Sequence, residues 1–253
     1  MNGFSVISDF YDSFNGGARY DDYLDFIKER FNALSLHDPD YQPRVVDLAC
    51  GTGEMTLKLA EAGFDAVGVD RSPQMLSKAM EKAYSHPQLS LFFVKQDMTR
   101  LSMDAKANLF VCLYDSLNYL EDEEALQLVF KKVSDHLTQG GIFIFDVNTM
   151  ERFTDIYADN AFVFKRPDGV LIWECRYNKS SGICLFDVEH FSKTGDLYSR
   201  SHEILKQRFF SPQTVEKLLE ESGFSIDSVV DDCMILGQEQ PPKRHIYCAV
   251  KQF

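Results

Sequence analysis

The chain is short of positive charge. Against 39 acidic residues stand 26 lysines and arginines, a formal net charge of -13 over 253 residues. Nucleic-acid recognition draws on cationic side chains against phosphate, so no nucleic-acid partner is expected and a small molecule fits better. No apolar run reaches the roughly 18 residues that a membrane-spanning helix needs, so no membrane partner is expected either. The opening stretch "MNGFSVISDFYDSFNGG" lacks the basic start and apolar middle of a secretory signal. The six cysteines are scattered, without CxxC spacing, which excludes the usual zinc and dithiol motifs. Read as buried free thiols, they suit a reducing cytoplasm. Internal repeats, low-complexity tracts and disordered linkers are also missing.

What is present is a rhythm. From residue 44, "RVVDLAC" and "DAVGVD" read as short buried strands, with the helical spacing of "EMTLKLAEAG" between them. "SPQMLSKAMEKAYS" opens with Ser72 as N-cap and Pro73 at the first helical position. "LSLFFVKQD", "ANLFVCLYD" and "GGIFIFDVNT" are further strands, and "EDEEALQLVFKKVSDHL" is an amphipathic helix with acids first and bases later. Alternating strands and helices predict an α/β protein: a mostly parallel sheet with helices on both faces. After residue 150 the rhythm changes. Strand-like stretches broken at Pro-Asp-Gly, Ser-Ser-Gly and Thr-Gly-Asp predict an antiparallel meander of three or four strands. A capped helix, "SPQTVEKLLEESGF", and two strands, "SIDSVVDDCMIL" and "RHIYCAVKQ", then resume the first pattern.

The first strand runs into "VVDLACGTG", residues 45–53. In an open α/β sheet, ligands bind beyond the carboxyl ends of the strands, where this turn lies. Gly51 and Gly53 allow a tight turn and close approach of backbone to ligand. Asp70 ends the next strand, where an acid can accept from both hydroxyls of a ribose. This describes a nucleoside-containing cofactor. The dinucleotide fingerprint wants a third small residue, but position 56 holds Thr56, and Glu54 would set a negative charge beside a pyrophosphate. Asp47, four residues before Gly51, suits a ligand with an ammonium or sulfonium group instead.

"VVDLACGTGEMTLKLAEAGFDAVGVDRSPQML" resembles the first two motifs of class I S-adenosylmethionine-dependent methyltransferases. "KQDM", "VCLYDSLNYL" and "GGIFIFDVNT" resemble the later ones, in order and at suitable spacing over residues 44–150. The resemblance implies a Rossmann-like, seven-stranded sheet closed by a β-hairpin with one antiparallel edge strand. It implies S-adenosylmethionine as cofactor and a methyl-transferring enzyme. Residue by residue, Ala49, Gly51 and Gly53 would pass the methionine part of the cofactor, and Asp47 would help hold its ammonium. Asp70 would accept from the ribose, and Arg71 and Met75 would pack beside the adenine. Asp97 and the Met98 amide would read the adenine edge, and Leu113 and Tyr114 would line the sulfonium end.

The N-terminal "SDFYDSFNGGARYDDYLDFI" resembles an aromatic lid found in one small-molecule branch of that family, which includes amino-sugar N-methyltransferases. Tyr11 and Tyr20 are the matching aromatics, and Arg19 would meet the cofactor carboxylate. Residues 1–150 and 211–253 are expected to form the cofactor-binding domain, with 151–210 as an antiparallel insertion covering the substrate. In that insertion His202, in "RSHEILKQRFF", is the candidate catalytic contact, ahead of His190. Asn118, Asn148 and Trp173 are candidate substrate contacts. Asp115, Asp146 and Asn148 could mimic a metal-binding oxygen set, but "FDVNT" is common in this branch without metal, so none is expected. The acceptor is expected to be a small molecule methylated on nitrogen or oxygen by a monomer or homodimer. A cofactor-binding sensor without catalysis and a nicotinamide-dependent dehydrogenase are the competing readings.

Overall fold

A computed structural model describes residues 19–35 and 40–252. Tyr11 and most of the expected lid lie outside the described residues. Helix α1 (Tyr20–Leu34) leads into strand β1 (Arg44–Leu48), helix α2 (Glu54–Glu61), strand β2 (Asp65–Asp70), helix α3 (Pro73–Ser85), and strands β3 (Leu91–Lys95) and β4 (Ala107–Cys112). Helix α4 (Glu123–His136) and strand β5 (Leu137–Asn148) complete the alternating part. Strands β6 (Ala161–Arg166), β7 (Gly169–Asn178), β8 (Ile183–Thr194) and β9 (Leu197–Arg208) follow, then helix α5 (Pro212–Glu221). Strand β10 (Phe224–Asp231), a four-residue helix α6 (Asp232–Ile235) and strand β11 (Arg244–Lys251) close the chain.

The helix starts are capped as their sequences dictate. Ser72, Asp122 and Ser211 each accept from a backbone amide three residues on, and Pro73 and Pro212 occupy first positions whose amide would be unpaired anyway. The strands form a seven-stranded sheet in the order β10-β11-β5-β4-β1-β2-β3 and a separate four-stranded sheet in the order β6-β7-β8-β9. The first is parallel except for β11, which runs antiparallel between β5 and β10. The expected antiparallel edge strand is therefore an inner strand, and β10 is the edge. "SIDSVVDDCMIL" is not one strand either: β10 stops at Asp231 and α6 follows. The four-stranded sheet turns at the three expected places. Residues 152–157 form a π-helical turn that no pattern in the sequence announced.

Helices α4 and α5 cover one face of the large sheet, where Phe130 packs on Phe143 and Phe145, and Phe145 stacks on Tyr247. Helices α1 and α2 cover the other, with Ile27, Phe31, Leu59 and Phe64 buried against Val45 and Ile144. A third cluster, Phe153, Leu171, Phe186 and Leu205, joins the π-helical turn to the inner face of the small sheet. Among the described residues no helix is long and apolar enough to cross a membrane.

Gly53 and Gly63 bracket α2 and separate two reasons for glycine. Both have positive φ, +77° and +99°. A Cβ on Gly53 would also meet the Phe93 ring at 2.6 Å and Ala79 Cβ at 2.9 Å, whereas one on Gly63 meets nothing within 4 Å. Gly63→Ala is expected to cost only backbone strain, about 1–2 kcal/mol. Gly53→Ala should add an overpacking cost of about 1–3 kcal/mol. Urea unfolding of the two variants measures the difference; equal losses would contradict the packing around Gly53.

Candidate active site

The turn after β1 sits where the sequence places it, but its residues divide by direction. Gly51 and Ala49 line a cavity of about 630 Å³ at the carboxyl ends of the parallel strands. Gly53 does not; its bare Cα faces Phe93 and Ala79, so the helix start can pack on the sheet. Asp47 does not line it either. It is buried beneath the loop, where the Thr56 hydroxyl donates to its carboxylate at 2.6 Å. Burial pushes the Asp47 carboxyl up to about 7; the Asp70 charge adds to this and the Thr56 hydrogen bond opposes it. Asp47 therefore ties the start of α2 to the end of β1 from below.

Asp70 joins two turns. One carboxylate oxygen accepts from the Gly51 amide at 2.9 Å and the other from the Ser72 amide at 2.8 Å. Its pKa is raised by burial, against the pull of those two amides. Asp97 ends the next loop, accepting from the amide and hydroxyl of Thr99 at 2.9 and 2.7 Å. Burial raises its pKa, but the Thr99 bonds and the charges of Arg71 and Arg100 outweigh burial and hold it below the ordinary carboxylate value. Both acids line the cavity, with Arg71, Met75 and Met98 beside them.

The cavity continues past Tyr114 toward the small sheet, where Tyr157, Phe162, Phe164 and Trp173 form its wall. Between the two halves stands Asp115. Tyr114 and Asp115 are consecutive non-glycine residues with left-handed φ, 57° and 55°. Such backbone persists only where its surroundings enforce it. Here the carboxylate of Asp146 accepts both amides, Tyr114 at 2.7 Å and Asp115 at 2.5 Å. The Asp115 carboxylate in turn accepts from Arg244 at 3.2 Å, Gln207 at 2.7 Å and Asn148 at 3.1 Å. Burial raises its pKa, but the charges of Arg244 and Arg152 and the amide hydrogen bonds overcome it, so the shift is downward. Burial and the neighbouring Asp115 charge push Asp146 up to about 6, against Arg244 and the two amides.

Several expected contacts fall elsewhere. His202 is on the outward face of β9, 40% exposed, bonded to Asp187 at 2.7 Å, and does not line the cavity. His190 is buried in β8 and does not line it. Arg19 pairs with Asp22 at 2.6 Å and donates to the Leu236 carbonyl, which commits its guanidinium at the foot of α1. Tyr20 reaches the site indirectly, its ring 4.9 Å from that of Tyr114. Leu113 is buried behind Tyr114. Asn118 fastens β5 to β9, accepting from the Asn148 amide and donating to the Arg208 carbonyl. Asn148 is buried and supports Asp115. The residues the sequence reading missed are Arg152, Tyr157, Gln207 and Arg244. Each comes from a segment without a local motif, and only the pairing of distant strands assembles them.

Fold and cavity define a Rossmann-like α/β protein built for a nucleoside-containing ligand. The lining suits S-adenosylmethionine: Asp70 and Asp97 supply two carboxylates, Met75 and Met98 supply apolar surface, and Asp115 stands in the passage beyond. A family model described as a methyltransferase domain matches residues 45–141. A glycine/sarcosine N-methyltransferase of Aphanothece halophytica is 34% identical over 217 residues, 82% of this chain and 76% of that protein. YqeM of Bacillus subtilis (strain 168), whose name assigns it to the methyltransferases, is 32% identical over 88% of this chain and 86% of its own. The crystal structure of an S-adenosylmethionine-dependent methyltransferase from Clostridium acetobutylicum ATCC 824 superposes over the full length of both chains, with a TM-score of 0.84 at 28% identity. The chain belongs to the S-adenosylmethionine-dependent methyltransferases; it is an enzyme, and S-adenosylmethionine is its cofactor.

The titration of Asp47 can be read in stability. Its carboxyl ionises near pH 7 when folded, against an ordinary value of 3.8. Its contribution is therefore complete below about pH 4 and is lost as pH rises toward 7. Asp47→Asn, which cannot ionise and keeps an oxygen for Thr56, should gain on the wild type by a few kcal/mol between pH 4 and pH 8. Urea unfolding at the two pH values tests this, and a pH-independent difference would show that Asp47 is ionised throughout.

Proposed function

We propose that the enzyme methylates the nitrogen of a small molecule held between Asp115 and the aromatic wall of the small sheet. The carrying observation is the state of Asp115: a cavity-lining carboxylate held ionised, with no histidine in the described lining around it. A hydroxyl acceptor needs a base near its own pKa to remove its proton. A neutral amine needs none. The relative named as a glycine/sarcosine N-methyltransferase supports nitrogen as the accepting atom.

In this reading Asp70 holds the ribose, Asp97 and the Met98 amide hold the adenine edge, and the Gly51 backbone passes the methionine end. Bound there, S-adenosylmethionine supplies a methyl group activated by its sulfonium. Tyr114 walls that end, its ring fixed between Tyr20 and the Arg244 guanidinium. As the acceptor nitrogen is methylated it gains positive charge. The Asp115 carboxylate, which carries one hydrogen bond on Oδ1 and so has room for another, accepts from its N–H and stabilises that charge. The protein is thus required mainly to align two partners, which can supply roughly 7–11 kcal/mol. We take residues 151–210 as the insertion covering the acceptor, and 1–150 with 211–253 as the cofactor-binding domain.

Asp115→Asn is expected to lower kcat about a hundredfold, the order found when one charge-stabilising group is removed. Affinity for S-adenosylhomocysteine, measured by calorimetry, should stay unchanged, which also shows that the variant folds. Mass spectrometry of matched amine and alcohol acceptors should find the added methyl only on the amines; methylated alcohols alone would overturn the nitrogen reading. Among the described residues no three His, Cys, Asp or Glu are grouped to hold a metal ion. Activity is therefore expected to survive EDTA. Loss with EDTA, restored by magnesium, would make Asp115, Asp146 and Asn148 ligands instead.

A further inference from the structure

The acceptor half of the cavity contains two guanidinium groups that differ in what they still have to offer. Arg244 is paired with acids. It bonds Asp115, lies 4.0 Å from Asp146, and its side chain is 13% exposed. Arg152 lines the cavity with only its Nε engaged, donating to the Tyr157 hydroxyl at 2.7 Å. Its two terminal nitrogens make no hydrogen bond or ion pair among the described residues. The group is nevertheless fixed. Its backbone amide donates to the Thr149 hydroxyl, and it opens the π-helical turn that closes where Ala158 donates to the Phe153 carbonyl at 2.8 Å. Turns of this kind concentrate at functional sites. Tyr157, on which Arg152 rests, packs edge-on against Phe186.

A guanidinium offers a planar fork of donors that matches a carboxylate in two parallel bonds. A single cation set against aromatic rings suits one planar, singly charged group better than a phosphate dianion. Tyr157 also sets the scale. Its hydroxyl accepts from Arg152 and reaches Asp115 at 3.4 Å, so one hydroxyl bridges the proposed amine position and the free fork. We propose that Arg152 reads a carboxylate on the methyl acceptor, and that the acceptor is an amino acid whose amine and acid groups lie only a few bonds apart. This rests on the reading of Asp115 as the contact of the acceptor nitrogen, but the anion site can be tested without any transfer.

Trp173 is the sole tryptophan of the chain, lines the same cavity, and also packs edge-on against Phe186, with ring centroids 5.5 Å apart. Its fluorescence therefore reports on this corner. Protein saturated with S-adenosylhomocysteine should show a saturable change on titration with acetate and none with acetamide. Arg152→Gln should weaken acetate at least tenfold while keeping the melting temperature and the S-adenosylhomocysteine affinity, and Arg152→Lys should restore part of the loss. In turnover, sarcosine should be preferred over sarcosinamide, and Arg152→Gln should erase the preference through KM. Equal responses to acetate and acetamide, or an unchanged acetate affinity in Arg152→Gln, would overturn the proposal. So would a loss of S-adenosylhomocysteine affinity, because Arg152 would then serve the cofactor. Acetate binding through Arg152 without methylation of any amino acid would overturn the amino-acid assignment, whereas methylation of alcohols alone would remove the nitrogen reading on which it rests.

Discussion

The half of the cavity beside the small sheet depends on one buried cluster, Asp115, Arg244 and Asp146. Its members come from three strand ends that meet only because β11 runs antiparallel to its neighbours. Arg244 is the first residue of β11 and pairs in register with Asn148 near the end of β5. A parallel strand in the same place would carry its first residue to the opposite edge of the sheet. The antiparallel insertion thus delivers a cation to the rim where the parallel strands present their acids. Removing one partner of such a buried pair is costly, about 3–5 kcal/mol, because the other charge is left uncompensated. The cluster need not be a net source of stability; what it secures is a conformation. Two left-handed residues in succession, Tyr114 and Asp115, are held by the amide bonds to Asp146.

The two halves of the cavity are built differently. Each part of the half formed by β1 to β3 is a strand followed at once by its own turn: Gly51 after β1, Asp70 and Arg71 at the end of β2, Asp97 and Met98 after β3. Hydrogen bonds between these turns, such as Gly51 to Asp70, lock neighbours that parallel pairing has already set side by side. The other half draws on β4, β5, β7, β9, β11 and the π-helical turn. Its polar groups are joined through Asp115, which touches Asn148, Gln207, Arg244 and Tyr157.

The small sheet shows how far pattern carries and where it stops. Its turns were legible, because Pro-Asp-Gly, Ser-Ser-Gly and Thr-Gly-Asp carry their own chemistry. Which side of each strand faces inward was not. In β9 the odd-numbered Leu205 and Gln207 are buried, while Ile204 and His202 point outward. The adjacent Ile204 and Leu205 leave the parity of the strand open, and the wrong parity makes His202 look like a cavity residue. A change of parity moves every side chain of a strand to its other face.

The alternating α/β core, the glycine turn after β1 and the methyltransferase family were legible from the residues alone, because strand, turn and cap signals act within a few residues of one another. The sequence also marked Trp173 and Tyr114, which line the cavity. It took the folded chain to show that Asp47 and Gly53 pack beneath the loop, that Arg19 and His202 turn to other partners, and that Arg152, Gln207 and Arg244 surround Asp115. These outcomes depend on sheet order, strand direction and face. Those are set by the burial of the whole chain at once, and residues more than ninety positions apart, such as Asp115 and Gln207, carry no local trace of their meeting.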